Sequence, residues 1–460
     1  MSDPATRAAP VTAMDALRAD PADDAAPPVL PNLVRPEEVP GARRVGRNTL
    51  EILLFRGIST PLALGLVVLQ ARFLEPSGRG AYVLAVLGVT IVSRVLGQLG
   101  VAVTNRLGEQ DMETRALVHR ALSLGALVGS AGAVLVLALG VYAAEISTDV
   151  AFIAALALVP NVIWHTISGV LLGLARIRLW NYIQLASPAL TAIGMLVFVV
   201  ALGGEVAAAV GAWTLANVAT AAFALGATRD LWRPFRFPRI LDPTGRLLMR
   251  LALTMGAVHV VNLISYRIEL FVLERYEGLD AVGIYSLAMQ AAEDIWLIPA
   301  AVAQAVTAPA VHEEEENTAA RLVARAAGRG LLITAGAAAG LAVVGWFAIP
   351  LVFGDEFEDA TGALLLLLPG AVAYAPVAVL VVYLSVRRGR PRLSLAVAVA
   401  AMVFTLVPAL ILIPAFGTNG AAGASSIGYV AGALLAWLFF VRLSRTPQKR
   451  YAHSDEHGSA

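Results

Sequence analysis

Twelve apolar stretches of about 20 residues constrain the fold of this chain more than any other feature. A helix of that length crosses roughly 30 Å of hydrocarbon. The stretches lie at 49–71, 80–104, 119–143, 150–174, 179–202, 206–228, 248–273, 281–307, 327–350, 361–385, 392–416 and 420–442. Only 15% of the residues are charged, whereas soluble proteins carry about 25%. We therefore predict an all-α, polytopic membrane protein with twelve transmembrane helices.

The composition also excludes several functional classes. The chain has no cysteine, which rules out disulfides, Cys-ligated zinc, iron–sulfur clusters and thiol nucleophiles. A formal net charge of +1 rules out a nucleic-acid binder driven by bulk basic charge. The chain has no lysine in a Gly-rich context, and therefore no P-loop ATPase site. We expect no cofactor, no metal site and no catalytic residue.

Arginines mark one side of the predicted membrane. If both termini are cytoplasmic, the two flanks and every second connection should be basic. All of these segments are basic, most clearly the connection that runs from Arg229 to Arg246. The opposite side carries only Arg72, Arg79 and Arg275. This asymmetry predicts that both termini lie in the cytoplasm.

A short motif occurs twice and predicts an internal repeat. The pattern Arg-x7-Gly-x-Tyr-x-Leu-Ala begins at Arg72 and again at Arg275, 203 residues later. Each copy lies between the first and second helix of a six-helix block, so both copies have the same orientation in the membrane. This indicates a parallel repeat of two six-helix lobes. The alternative is that the Gly and Tyr residues mark loop ends and an interfacial aromatic belt.

The repeat divides the chain into five segments. Residues 1–47, rich in Pro, Ala and Asp, are predicted to be a disordered cytoplasmic tail without a signal peptide. Residues 48–228 form the N-terminal six-helix lobe, and residues 248–442 form the C-terminal one. A basic cytoplasmic linker, 229–247, joins them, and residues 443–460 form a second tail. Because the loops are short and no soluble domain is predicted, this organisation favours a transporter over an enzyme.

Polar side chains recur on one face of the first two helices of each lobe. Ionisable groups inside a span are costly and usually face a cavity. Helical spacing places the following residues in four stripes: Arg56, Ser59, Thr60 and Gln70; Thr90, Arg94, Gln98 and Asn105; His259, Asn262, Tyr266 and Glu269; Gln290, Glu293, Asp294 and Gln304. Corresponding elements of the two lobes therefore predict one shared central cavity.

These stripes supply the candidate functional residues. An arginine stays charged and donates bidentate hydrogen bonds to phosphate. The predicted substrate-binding residues are Arg94, Arg56, Gln98, Asn105, Thr60, Asn262, Tyr266 and Gln290. The candidates for proton or cation coupling are Glu293, Asp294, Glu269 and His259. The alternative is a purely structural role, as a paired or snorkelling charge for Arg56, Arg267 and Glu269, or as a hydrogen-bonded core residue for His259.

Several motifs resemble those of a known family. The run from Ala71 to Tyr82 (ARFLEPSGRGAY) resembles the first-loop motif of polysaccharide and O-antigen-type oligosaccharide (Wzx-like) flippases. Tyr266–Glu269, followed by Val282–Ala288 and the pair Ala292-Glu293, resembles the start of the second lobe, and 420–425 (GAAGAS) resembles the opening of the last helix. The likeness covers roughly residues 48–442.

The resemblance implies the multidrug/oligosaccharidyl-lipid/polysaccharide exporter superfamily. In that superfamily, helices one, two, seven and eight line a cavity between two lobes. The implied function is flipping of a polyprenyl-diphosphate-linked oligosaccharide across the bacterial plasma membrane, driven by a proton or sodium gradient. The implied partners are the lipid-linked oligosaccharide, membrane lipids, and a polysaccharide polymerase or glycosyltransferases, but no nucleic acid. The alternatives are an ion-coupled multidrug-type exporter, a lipid II flippase, and a membrane polymerase, ligase or glycosyltransferase.

Overall fold

The protein is built from helices that expose apolar faces. The computed structural model describes residues 42–107, 113–142, 146–235, 238–239, 242–313 and 315–446, and all regular secondary structure in them is helical. The α-helices are α1 (Ala42–Leu96), α2 (Leu99–Thr104), α3 (Thr114–Tyr142), α4 (Thr148–Leu156), α5 (Leu158–Gly173), α6 (Ile177–Met195), α7 (Val206–Ala227), α8 (Arg229–Trp232), α9 (Pro243–Ser265), α10 (Ile268–Asp294), α11 (Leu297–His312), α12 (Glu316–Ala348), α13 (Asp359–Val382) and α14 (Pro391–Ser444). π-helical turns extend α6, α12 and α13 at their C-terminal ends, over Leu196–Ala201, Ile349–Phe353 and Tyr383–Arg387.

Within these residues, nine helical segments are long and apolar enough to cross a membrane. Two of them are long enough for two spans each, since Ser59–Thr104 has 46 residues and Pro391–Ser444 has 54. Glu75 breaks α1 and Gly417 breaks α14 through non-helical backbone angles, and Gly278 breaks α10 in the same way. All three breaks fall in predicted connections between spans. The all-helical, multi-pass architecture is confirmed, while the count of twelve and the side of the termini stay predictions.

The ends of the predicted segments are only partly within the described residues. Most of the predicted N-terminal tail, 1–41, lies outside them, and α1 already begins at Ala42. The predicted linker 229–247 contains the short helix α8, and α9 begins inside it, at Pro243. Helix α14 ends at Ser444, and residues 447–460 of the second tail lie outside the described residues. The division into two lobes stays a prediction, so we refer below to an N-terminal half (48–228) and a C-terminal half (248–442).

The two halves meet where the repeated glycines cross. A Cβ atom on Gly80 would overlap the carbonyl oxygen of Leu279, and one on Gly283 would overlap that of Pro76. The two contacts are reciprocal, because Gly283 is the repeat equivalent of Gly80, and Leu279 that of Pro76, at the 203-residue interval of the motif. Such an exchange of equivalent contacts is typical of two-fold related surfaces. The motif therefore marks a backbone-to-backbone crossing of α1 and α10, which only glycine permits.

The first arginine of the repeated motif also joins the two halves. The Arg72 guanidinium donates hydrogen bonds to the carbonyl oxygens of Leu351 and Val352, in the π-helical turn after α12. These carbonyls lie at a helix end, where they lack partners within the helix. The equivalent Arg275 is exposed and makes no hydrogen bond or ion pair with any described residue. The repeat is therefore symmetric at its glycines and asymmetric at its arginines.

Polar side chains hold helices together inside the N-terminal half. The Asn217 side-chain oxygen on α7 accepts hydrogen bonds from Asn161 Nδ2 (2.8 Å) and Trp164 Nε1 (2.9 Å), both on α5. Thr214 Oγ1 donates to the Ile153 carbonyl on α4, at 2.9 Å. Packing and interhelical hydrogen bonds drive helix association in a bilayer, because lipid tails are as apolar as leucine. These bonds fix α4, α5 and α7 as one unit.

The start of α9 is fixed by a single carboxylate. Asp242 Oδ1 accepts a hydrogen bond from the Gly245 amide (2.7 Å) and so caps the helix, with Pro243 in the first turn. Asp242 Oδ2 accepts two bonds from the Arg120 guanidinium on α3, at 2.9 and 2.7 Å. This ion pair, more than any other contact of the group, holds the pKa of the Asp242 carboxyl below its ordinary value. Asp242 thus connects the C-terminal half to the N-terminal half.

Candidate substrate cavity

A cavity of about 750 Å³ lies between the two halves. Its walls come from α1, α6 and α7 on one side and from α9, α10 and α11 on the other. The charged residues that line it are Arg79, Arg94, Arg267, Glu293 and Asp294. Three arginines and two carboxylates give this wall a formal charge of +1. The cavity is therefore polar and slightly cationic, as an anion-binding site requires.

Of the three arginines that line the cavity, Arg94 is the most accessible to a ligand. It lies in the last turn of α1, is exposed, and lines the cavity. Its guanidinium makes no hydrogen bond or ion pair with any described residue, and only its backbone carbonyl accepts a bond, from Gln98 Nε2 at 3.4 Å. The five N–H donors of this guanidinium are thus free to bind an anion. Arg94 thus lines the cavity, and its predicted role in substrate binding stays a prediction.

Arg267, by contrast, is already neutralised. Its Nη1 and Nη2 atoms lie 2.7 Å from Glu293 Oε1 and Oε2, respectively, which is a bidentate ion pair. Arg267 precedes the first segment of α10 and Glu293 lies in the last turn of the second, so the pair joins the two segments that the break at Gly278 separates. The neighbouring Asp294 is exposed and Gln290 is half-buried, and both line the cavity. Glu293, a predicted coupling residue, is therefore held in a salt bridge.

Glu269 does not reach the cavity. It is fully buried, and its Oε1 accepts a hydrogen bond from the Tyr285 hydroxyl at 3.1 Å. The same hydroxyl lies 2.9 Å from Ser425 Oγ on α14. Glu269 Oε2 accepts no hydrogen bond from the described residues. A buried carboxylate oxygen without a partner is costly, so this atom marks a place where a proton or cation would be stabilised.

Tyr266 lies in an aromatic cluster instead of the main cavity. The rings of Tyr266, Trp296, Tyr374 and Tyr429 pack with centroids 5.1–6.2 Å apart. Tyr266 and Tyr374 join hydroxyls at 3.0 Å, and the Tyr429 hydroxyl donates to Glu293 Oε1 at 3.4 Å. Tyr266, Trp296 and Tyr374 line a second, mainly apolar cavity of about 430 Å³. Trp296 lines both cavities, so the two adjoin.

Of the other predicted residues, those with described side chains do not line the main cavity. Gln98 lies one turn beyond Arg94, and Asn105 Nδ2 points to Met255 Sδ at 3.9 Å. His259 is exposed on α9, with Nδ1 3.0 Å from the Met255 carbonyl, and Thr60 is half-buried on α1. The side chains of Arg56 and Asn262 lie outside the described residues.

The sequence analysis missed Arg79, which it assigned to an outer connection. The structure places Arg79 on α1, 1% exposed and in the cavity wall. Its Nε donates to the Gly283 carbonyl (3.2 Å) and its Nη1 to Gln70 Oε1 (3.1 Å). The helix resumes directly after Glu75, and this is why Arg79 is helical and not in a loop. Its position next to the motif residue Gly80 was the available signal.

Three solved structures share this fold. An inward-facing multidrug resistance MATE family transporter of the MOP superfamily matches with a TM-score of 0.70 and 17% identity, over 83% of this chain and 94% of its own. The lipid II flippase MurJ, in an inward closed conformation, matches with a TM-score of 0.72 and 15% identity, over 85% of this chain and 87% of its own. An outward-facing multidrug resistance MATE family transporter of the MOP superfamily matches with a TM-score of 0.57 and 17% identity, over 88% of this chain and 96% of its own. At these identities the likeness shows the fold alone.

The sequence itself matches a family model. The model described as "Polysaccharide biosynthesis protein" covers residues 45–313, which is more than half of the chain. A search of curated proteins finds no match. The matched region contains Arg79, Arg94, Arg267 and both cavity carboxylates. The family resemblance indicated by the motifs is thereby confirmed.

Proposed function

Because this chain belongs to the polysaccharide biosynthesis protein family, we propose that it flips a polyprenyl-diphosphate-linked oligosaccharide across the plasma membrane of a bacterium. The family and the fold support a membrane transporter, and not an enzyme. The cargo serves the assembly of a cell-surface polysaccharide, with a polymerase or glycosyltransferases as partners. Alternating exposure of the cavity to the two sides moves the polar head while the lipid tail stays in the bilayer.

One observation carries this proposal: Arg94 presents an unpaired guanidinium to a slightly cationic cavity. A diphosphate is a compact, multiply charged anion, and a free guanidinium binds phosphate oxygens bidentately. An unpaired charge inside a membrane protein is costly, and such residues usually mark a substrate or ion pathway. The neutralised Arg267–Glu293 pair leaves Arg94 as the accessible cation at its end of the cavity.

For the topology, we propose twelve spans in two halves, 48–228 and 248–442, with both termini in the cytoplasm. The breaks at Glu75, Gly278 and Gly417 support this, because they divide α1, α10 and α14 within predicted connections. The concentration of arginines in alternate connections supports the orientation. In this orientation the crossing of Gly80 and Gly283 lies at the outer end of the cavity.

For coupling, we propose a proton or sodium gradient and assign Glu269 as the first candidate. Its buried, unpartnered Oε2 atom supports this choice. A carboxylate in that state gains stability when it binds either a proton or a small cation. Glu293 is the second candidate, because the Tyr429 hydroxyl and the Arg267 guanidinium connect it to the interior of the C-terminal half.

Substitution of Arg94 tests the proposal. In proteoliposomes containing the full chain, Arg94→Gln should lower the rate at which a lipid-linked oligosaccharide is flipped by about tenfold or more, since a charged hydrogen bond contributes about 1.5–3 kcal/mol. Arg94→Lys should retain part of the rate, because lysine keeps the charge and loses the bidentate geometry. Arg275→Gln is the matched control, because this arginine is exposed and away from the cavity.

The same assay separates the alternatives. In parallel experiments, lipid II or an amphipathic cation replaces the lipid-linked oligosaccharide as the substrate in the proteoliposomes. Flipping of lipid II alone would assign the chain to a lipid II flippase, and export of the cation alone to a multidrug-type exporter. Flipping of lipid-linked oligosaccharide at the unmodified rate by Arg94→Gln would overturn the assignment of Arg94.

A further inference from the structure

Arg79 is a buried charge without a counter-charge among the described residues. It is 1% exposed, and no carboxylate of the described residues lies within ion-pair distance of it. Its two acceptors, the Gln70 side-chain oxygen and the Gly283 carbonyl, are both neutral. A buried, uncompensated guanidinium destabilises the fold unless an anion joins it at some stage of its function.

The guanidinium of Arg79 has unused donors. Of its five N–H groups, one on Nε and one on Nη1 are bonded, and Nη2 donates to no described residue. The side chain also forms part of the wall of the main cavity. The remaining donors are those that a bidentate oxyanion uses. Ser286, whose hydroxyl donates to the same Gly283 carbonyl at 2.9 Å, lines the cavity next to it.

Arg79 and Arg94 cannot bind the same group at once. The 15 residues that separate them are continuous helix, and a rise of about 1.5 Å per residue places them about 22 Å apart along α1. A diphosphate is much shorter than this. The Arg267–Glu293 pair does not fill the gap with free charge, because its two members neutralise each other. The cavity therefore has one unpaired cation towards each end.

We propose that Arg79 forms a second anion-binding site at the end of the cavity closed by Gly80 and Gly283, and that it receives the diphosphate after Arg94. The inference rests on the proposed function and adds a path to it. The cargo's charged group binds Arg94 first and moves along α1 to Arg79 as the halves separate at the glycine crossing. Two guanidinium sites favour movement of the diphosphate, because the anion passes from one positive charge to another and is not transferred into hydrocarbon.

The absence of cysteine from the chain allows a direct test. Val83 lies one turn after Arg79 and Thr90 one turn before Arg94, and both line the cavity. Val83→Cys and Thr90→Cys each introduce a single thiol, which is labelled with N-ethylmaleimide in the purified full chain in lipid nanodiscs. Inorganic pyrophosphate and geranylgeranyl diphosphate are the probes, so that binding of the anion alone is distinguished from binding that needs a lipid tail.

A probe present at about ten times its dissociation constant should slow labelling of both thiols about tenfold. Added Arg79→Gln should remove the protection of the thiol at position 83 and keep that at position 90. Added Arg94→Gln should remove the protection of the thiol at position 90 and keep that at position 83. Arg79→Lys should restore part of the protection at position 83, and Arg275→Gln should change neither. Protection at position 90 also shows that an Arg79 variant is folded.

Three results would overturn the inference, and they differ in whether the proposed function survives. Protection at position 83 that survives Arg79→Gln would mean that Arg79 only links the halves structurally. Protection at position 90 alone would mean that no second site exists. Both results leave the proposed function intact. Protection of neither thiol in the presence of all native arginines would overturn the second site together with the anion-binding role of the cavity.

Discussion

At the scale of single residues, the environment decides which charges are structural. Asp242 accepts the Gly245 amide and two Arg120 donors, so each of its oxygens has a partner. Arg94 has the same formal magnitude of charge and no partner among the described residues. The first arrangement fixes a helix end, and the second leaves a charge free for a ligand.

The Asp242 pair leads to a prediction about pH. The folded-state pKa of Asp242 is depressed, so its contribution to stability is present above the unfolded pKa of about 3.9 and is lost as pH falls through the folded value. Asp242→Asn should lower the melting temperature in detergent at pH 7 and have progressively less effect below about pH 4.

Asp242→Ala serves as the comparison for that measurement. Asparagine retains the helix cap and alanine does not, so alanine should cost about 1 kcal/mol more at any pH. An effect of Asp242→Asn that is equally large at pH 7 and pH 3 would contradict the ion-pair explanation, because it could not depend on the charge of the carboxylate.

At the scale of elements, the crossing of α1 and α10 depends on two glycines. A methyl group at Gly80 would overlap the Leu279 carbonyl, and one at Gly283 would overlap that of Pro76. The overlapped atoms belong to the backbone, so a change of side-chain rotamer cannot relieve either contact. The helices would have to separate at the crossing.

Alanine substitution tests that crossing. Gly80→Ala and Gly283→Ala should each lower stability by about 1–3 kcal/mol and by similar amounts, as measured by thermal unfolding of the purified chain. Gly65→Ala on α1 is the control, since no neighbouring atom lies within 4 Å of the added methyl. There the better helix propensity of alanine should leave stability unchanged or raise it by about 0.5–1 kcal/mol. A strong loss at only one motif glycine would contradict the reciprocal contact.

The extent to which the sequence predicts the site also depends on scale. Helical periodicity is local, so spacing alone groups Gln290, Glu293 and Asp294 on α10, and the structure has these three and Arg94 of α1 in the wall of one cavity. The sequence does not reveal that Tyr266 and Glu269 face the interior of the C-terminal half, since packing against α13 and α14 sets the rotation of a helix. It also assigns Arg79 to a loop, because a kink at Glu75 replaces the expected connection.

At the scale of the whole molecule, the proposed alternating exposure of the cavity requires the two halves to separate at one end at a time. Arg72 bridges the halves by donating to the Leu351 and Val352 carbonyls, near the glycine crossing. The contacts between the halves at this end are hydrogen bonds and close backbone packing, and no ion pair of the described residues joins the halves there. Such an interface can open without leaving an unpaired carboxylate in the bilayer.

A cross-link across this interface should stop transport. In the cysteine-free chain, Arg72→Cys with Leu351→Cys should react with a short bifunctional thiol reagent, and flipping should fall to the protein-free rate and recover on reduction of the link. The matched control is Ile153→Cys with Thr214→Cys, which links helices within the N-terminal half. Full transport by the cross-linked Arg72–Leu351 variant would contradict separation of the halves at this end.

The position of Trp296 has a consequence for how the two cavities communicate. Its indole is in the wall of both, and its Nε1 donates to the Ala371 carbonyl at 2.9 Å. The indole ring thus lies between the charged main cavity and the mainly apolar second cavity, and one hydrogen bond connects it to α13. A rotation of that single side chain would join them into an amphipathic vestibule, and its fluorescence would report the event as a change in the polarity around the indole.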